Sequence, residues 1–193
     1  MKRIEKILLA LALTVCSTSC ATTGLAADTS QGRNMNSNNE MTVSDLGHRF
    51  LSMIESTQNF NDLSAKSIQS AIGTTFEGDE KSGAYSLKLP DGKWQYGITY
   101  NLDSKIEEYS NVTIELIKAT NSADASNPPC DLGLEEYDHA LKAAGFSTRP
   151  STQNEIGGLA ALHYSRNNMH VQIVPQHPNS TCVKAISIQK FGE

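Results

Sequence analysis

The sequence predicts an α+β fold: two helix-plus-antiparallel-strand repeats sharing one sheet, with the helices on one face. Three observations predict it. Two stretches with apolar residues at helical spacing each end at a glycine, Gly73 and Gly145. A tyrosine within a strand-like pattern follows each glycine, Tyr96 after 23 residues and Tyr164 after 19. A β-branched run then closes each half, at residues 112–117 and 182–190. Together they outline candidate repeats over 43–120 and 130–193 inside one α+β domain spanning 43–193.

The elements of the first half follow from local signals. Thr42 or Ser44 caps a first helix, in which Leu46, Phe50, Met53 and Ile54 recur on one face. Residues 59–62 are a break. Ser64 caps a second, short helix with Ile68 and Ile72 on one side, and Gly73 suits the left-handed position just past its end. Residues 84–89 read as a strand that stops at Pro90-Asp91-Gly92, where proline presets φ and glycine supplies positive φ. Trp94, Tyr96, Ile98 and Tyr100 alternate with Gln95, Gly97 and Thr99, the signature of a half-buried strand. Val112, Ile114 and Leu116 share one face of a third strand, and residues 119–129 form a loop rich in Ser, Asn, Asp and Pro.

The second half opens on a helix with Leu134, Tyr137, Ala140, Leu141 and Ala144 on one face. Glu135 and Glu136 lie in its first turn and Lys142 near its end, each favoured by the helix dipole. Gly157-Gly158 leads into a hairpin, residues 162–165 and 169–174, that turns at Asn167-Asn168, residues tolerant of positive φ. If Ser165 pairs with His170, then Tyr164 faces Val171 and Leu162 faces Ile173. One hairpin face is then apolar, and the other carries His163, Ser165, His170 and Gln172. Residues 182–190 are the last strand.

The first 27 residues predict export. Lys2, Arg3 and Lys6 form a basic start, residues 7–15 (ILLALALTV) a short apolar run, and Ser17, Thr18, Ser19, Cys20 and Ala21 a stretch of mostly small residues. Such a run is too short to span a bilayer and suits a signal peptide. Two processing routes stay open: cleavage before Cys20 with lipidation of that thiol, which resembles bacterial lipoprotein processing, or ordinary cleavage after Ala21 or Ala27. Ser17 stands where the lipoprotein pattern usually has Leu. Residues 28–42 are polar at their start and read as a flexible linker. The expected location is the periplasm, or the outer membrane through a lipid anchor.

The 193-residue chain carries a formal net charge of −5. Lys2, Arg3 and Lys6 against Glu5 leave +2 in the first six residues, so the remainder carries −7. A chain this acidic repels phosphate backbones, which disfavours nucleic acid and suits a neutral or basic protein partner. Of four cysteines, Cys16 and Cys20 belong to the leader, which leaves Cys130 and Cys182 to pair in an oxidising compartment.

Residues 63–73 (LSAKSIQSAIG), followed by Trp94-Gln95-Tyr96, resemble the helix–glycine–Trp-x-Tyr unit of β-lactamase-inhibitor-protein-like domains, a unit shared with small outer-membrane assembly lipoproteins. The resemblance extends only loosely into the second half, where Leu162-His163-Tyr164 replaces Trp-x-Tyr and the helix after Cys130 is not doubled. It implies an exported binding module with a curved antiparallel sheet, and it names no partner.

The sequence holds no G-x-S-x-G, H-E-x-x-H, Walker loop or C-x-x-C pattern, so no catalytic residue, cofactor or metal site is assigned. His163 and His170 share a polar sheet face and His177 follows nearby, but a zinc site needs a third and fourth ligand at good geometry, so they read first as solvated histidines. Trp94, Tyr96 and Tyr100 have two readings. They are core residues, or they join His163 and His170 in anchoring a partner, since Trp and Tyr bury much area at low entropic cost. The leading expectation is a non-enzymatic binding or inhibitor module, such as an immunity protein that neutralises a secreted toxin or enzyme. An accessory of outer-membrane assembly and a small hydrolase using the His163/His170 face are the alternatives.

Overall fold

The computed structural model describes residues 41–102, 109–119 and 127–191. The expected leader (residues 1–27) with Cys20, nearly all of the expected linker (28–42) and most of the expected loop at 119–129 lie outside the described residues. Thr42 caps α1 (Val43–Ser56) with a reciprocal box: Asp45 N–H donates to Thr42 Oγ1 and Thr42 N–H to Asp45 Oδ2, each at 3.1 Å. A 3-10 turn (Phe60–Asp62) fills the expected break. Ser64 caps α2 (Ala65–Ile72) in the same reciprocal way with Ser67, and Gly73 closes it at φ 75°. Each such cap contributes about 1 kcal/mol by satisfying amides that a helix leaves unbonded. In the second half, α3 (Leu134–Ala143) begins without a side-chain cap.

Eight strands follow in chain order: β1 (Glu77–Gly78), β2 (Ser82–Lys88), β3 (Trp94–Asn101), β4 (Asn111–Lys118), β5 (Ser147–Gln153), β6 (Leu159–Arg166), β7 (Met169–Pro175) and β8 (Val183–Lys190). They form one sheet in the order β1-β2-β3-β4-β8-β7-β6-β5, with every neighbouring pair antiparallel. The protein is therefore α+β. Each half contributes a four-strand meander, and β4 and β8 join the two at the centre. The hairpin register matches the expected one, with Ser165 opposite His170, Tyr164 opposite Val171 and Leu162 opposite Ile173.

Strand alternation divides the sheet into two unlike faces. The inner face carries an apolar row, Tyr85–Ile98–Ile114–Ile186–Ile173–Leu162, in which each residue is the register partner of the next. All three helices pack on this face. Leu46, Phe50, Met53 and Ile54 of α1, Ile68 and Ile72 of α2, and Tyr137 and Leu141 of α3 join those strand residues in one cluster. Gly47 permits the close approach: a Cβ there would collide with Leu132 Cδ2, and Tyr137 Oη donates across to the Gly47 carbonyl at 2.9 Å. The described residues belong to one compact unit. No helix among them is long and apolar enough to cross a membrane.

Cys130 and Cys182 are bonded, with Cα atoms 5.2 Å apart across 52 residues of sequence. The bond ties the segment before α3 to the start of β8. Backbone bonds flank it, from Val183 N–H to the Leu132 carbonyl at 2.9 Å and from Leu134 N–H to the Thr181 carbonyl at 2.8 Å.

Candidate functional site: the helix-free face of the sheet

The outer face has a different composition. One transverse row, Glu77–Ala84–Thr99–Thr113–Ser187–Gln172–His163–Arg149, crosses all eight strands through consecutive register partners. Its side chains are mostly small or uncharged polar, and Thr113 Oγ1 donates to Ser187 Oγ at 2.9 Å over the β4–β8 seam. No described helix joins this row. Near β3 the face is hollow: a cavity of about 500 Å3 lies over Gly97 and is bordered by Ser86, Gln95, Thr99 and Ile117. Glycine is what keeps it open, since a Cβ at residue 97 would sit 3.0 Å from Ile117 Cδ1. Ile117 is 39% exposed, an apolar side chain beside this hollow.

Towards β5 the face carries a hydrogen-bonded imidazole pair. His163 Nδ1 and His170 Nε2 are 3.1 Å apart, His170 Nδ1 lies 3.2 Å from Gln189 Oε1, and Thr152 Oγ1 lies 2.7 Å from His163 Nε2. The ring planes differ by only 8° while the centroids stand 5.1 Å apart, so the rings meet end to end rather than face to face. With Gln189 Oε1 facing His170, the contacts fit one neutral arrangement. Gln189 Oε1 accepts, so His170 Nδ1 carries a proton and its Nε2 accepts from His163 Nδ1–H. His163 Nε2 then accepts from the Thr152 hydroxyl. Burial, and then the neighbouring His170, hold the His163 imidazole below its ordinary pKa.

Arg149 and Phe191 complete this end of the face. Arg149 Nε donates to Ser165 Oγ at 3.0 Å, and its Cζ lies 4.6 Å from the Phe191 ring centroid. The Phe191 and His170 rings are 6.1 Å apart.

The expected contact residues separate. His163 and His170 are together on the outer face. Tyr96 and Tyr100 are 0% and 3% exposed on the inner face, so the structure places both in the core instead of on a contact surface. They point inward because they share strand parity with Ile98, opposite Leu116 and Val112. Trp94 shares that parity and is half-buried against the core at the strand end. Sequence reasoning missed Arg149, Thr152, Gln189 and Phe191. Gln189 was within reach, since β8 alternates and residue 189 falls on the polar side. Arg149 and Thr152 sit on β5, a strand with seven exposed residues and Pro150 in its middle, which has no apolar alternation to read.

Among the described residues, no group of three or more His, Cys, Asp or Glu side chains converges as metal ligands do. Compared with known proteins, the chain matches no family model, no curated protein and no solved structure.

Proposed function

We propose that this protein is an exported binding module of the cell envelope, which engages a partner protein through the helix-free face of its sheet. The observation that carries the reading is the row of small and polar residues crossing all eight strands with no described helix over it. A broad sheet face gives area, the hollow over Gly97 gives a socket for a projecting side chain, and the polar row gives register without a large exposed apolar patch. An acidic chain selects a neutral or basic partner, and an inhibitor or immunity protein that covers a secreted toxin or enzyme fits that chemistry. The similarity of residues 63–96 to inhibitor-protein-like domains points the same way.

Export is supported by the basic–apolar–small pattern of residues 1–27 and by the Cys130–Cys182 bond, a cross-link typical of oxidising compartments. We place the protein in the periplasm, or on the outer membrane through Cys20. We further read the halves as copies of one ancestral unit, because each contributes helix before meander and the two last strands meet at the centre.

Affinity capture from envelope extract with the full chain tests the reading. It should recover one stoichiometric protein, and Ser187→Arg, in the middle of the row, should abolish capture while the variant still unfolds in one cooperative thermal transition. Capture that survives Ser187→Arg and also Thr113→Arg overturns the assignment of this face.

A further inference from the structure

We propose that the hollow between the β6–β7 turn, the 3-10 turn and the residue following β8 is a saccharide site that takes a neutral sugar. This goes beyond the protein-binding reading and does not rest on it. The hollow measures about 780 Å3, within the range of roughly 300–1,000 Å3 typical of small-molecule sites.

What marks it is a set of polar side chains each fixed at one atom and left with a spare end. Asn167 Nδ2 donates to the Gln58 carbonyl at 2.8 Å, which leaves its Oδ1 as an acceptor. Asn168 Oδ1 accepts from Phe60 N–H at 2.7 Å, which leaves its amide hydrogens as donors. Asp62 Oδ2 accepts from Asn59 N–H at 2.9 Å, which leaves Oδ1. Arg149 is held through Nε by Ser165 and lies against Phe191, which leaves its two terminal nitrogens. None of these spare ends has a protein partner among the described residues.

Two acceptors and two donors, each on a side chain anchored at another atom, match hydroxyl groups, each of which donates and accepts. Their fixation lowers the entropy lost when a ligand binds. The two charged side chains lining the hollow, Arg149 and Asp62, are of opposite sign, so the site is balanced for an uncharged ligand. Phe191, 41% exposed with Arg149 over one side of its ring, offers the remaining apolar surface to the C–H edges of a pyranose. An isolated phosphate or carboxylate would leave Asp62 facing an anion, and an apolar ligand would bury four polar ends without partners.

The test is an amide-resolved NMR titration of the full chain with maltose, chitobiose and glucuronate. At least one neutral sugar should shift the amides of Asn167, Asn168 and Phe191 saturably, with a dissociation constant on the order of 1–10 mM. Phe191→Ala and Arg149→Gln, both at exposed side chains, should each weaken that binding about tenfold with the melting temperature retained. The proposal is overturned by the absence of a saturable shift with either neutral sugar at about 50 mM. It is equally overturned by binding of glucuronate alone, or by undiminished affinity in both variants. None of these results bears on protein capture by Ser187→Arg, so the two readings fail separately.

Discussion

Arg166 and Ala144 are joined across the second half of the fold: Arg166 Nη1 donates to the Ala144 carbonyl, just past the end of α3, at 2.6 Å. The other terminal nitrogen reaches the end of α1, donating to the carbonyls of Ile54 at 3.0 Å and Glu55 at 3.2 Å and also to that of Thr57. The guanidinium lies 4.2 Å from the centroid of the Phe146 ring. One side chain thus satisfies carbonyls that two helices leave unbonded, and places its charge at the negative ends of both dipoles. Arg166→Leu should lower the unfolding free energy by about 3 kcal/mol, read by urea denaturation. Arg166→Lys should recover only part of that loss, because an ammonium cannot reproduce the planar fork.

Two buried tyrosines should respond oppositely to loss of the hydroxyl. Tyr137 Oη bonds the Gly47 carbonyl, whereas Tyr96 Oη is buried with no hydrogen-bond partner among the described residues. Tyr137→Phe should cost about 1 kcal/mol, and Tyr96→Phe should be neutral or stabilise by up to ~1 kcal/mol. Thermal melts of the two variants decide the matter. A larger loss for Tyr96→Phe would show that its hydroxyl has a partner in solution.

The Cys130–Cys182 bond closes a loop of 52 residues. In the chain-entropy account such a bond contributes about 4 kcal/mol. The double variant Cys130→Ser/Cys182→Ser should therefore unfold at markedly lower urea concentration, and a reductant should shift the native protein but not the variant.

Stability should also depend on pH through His163. Its imidazole is held below the ordinary value by burial and then by His170. Between that lowered value and the unfolded-chain value of about 6.5, the unfolded chain binds a proton that the folded chain does not. This contribution is fully present above the unfolded value and is lost as pH falls through the folded one. His163→Asn should flatten the slope of unfolding free energy against pH in that window. An unchanged slope would remove His163 from the account.

Much of the fold was legible because its signals are local. A cap and its partner lie three residues apart, as at Thr42 and Asp45 or Ser64 and Ser67. The Asn167-Asn168 turn sets the register of its own hairpin, with Asn167 at φ 49°. The strands β1 and β5 were not legible. The former has two residues, and the latter is a wholly exposed edge strand with irregular pairing near Pro150, a device that also discourages a second chain from adding there.

The candidate site divides along the same line. His163 and His170 were found because one hairpin holds both. Thr152 and Gln189, which complete the hydrogen-bonded chain, come from β5 and β8, and no short-range pattern relates them to the pair. The ambiguity of Trp94, Tyr96 and Tyr100 had a similar cause, since alternation puts them on a common face without saying which face the helices cover.

By itself the sequence determined the α+β class, the three helices, the glycine that closes the second, the β6–β7 register and the cysteine pairing, because each depends on residues close along the chain or on there being only two cysteines beyond residue 27. Tertiary structure alone decided that β4 and β8 meet at the centre, that the tyrosines of β3 face inward, and that Arg149, Thr152, Gln189 and Phe191 gather around the histidines. Those outcomes depend on which of several antiparallel pairings buries the most apolar surface, a comparison made only once the whole chain has collapsed.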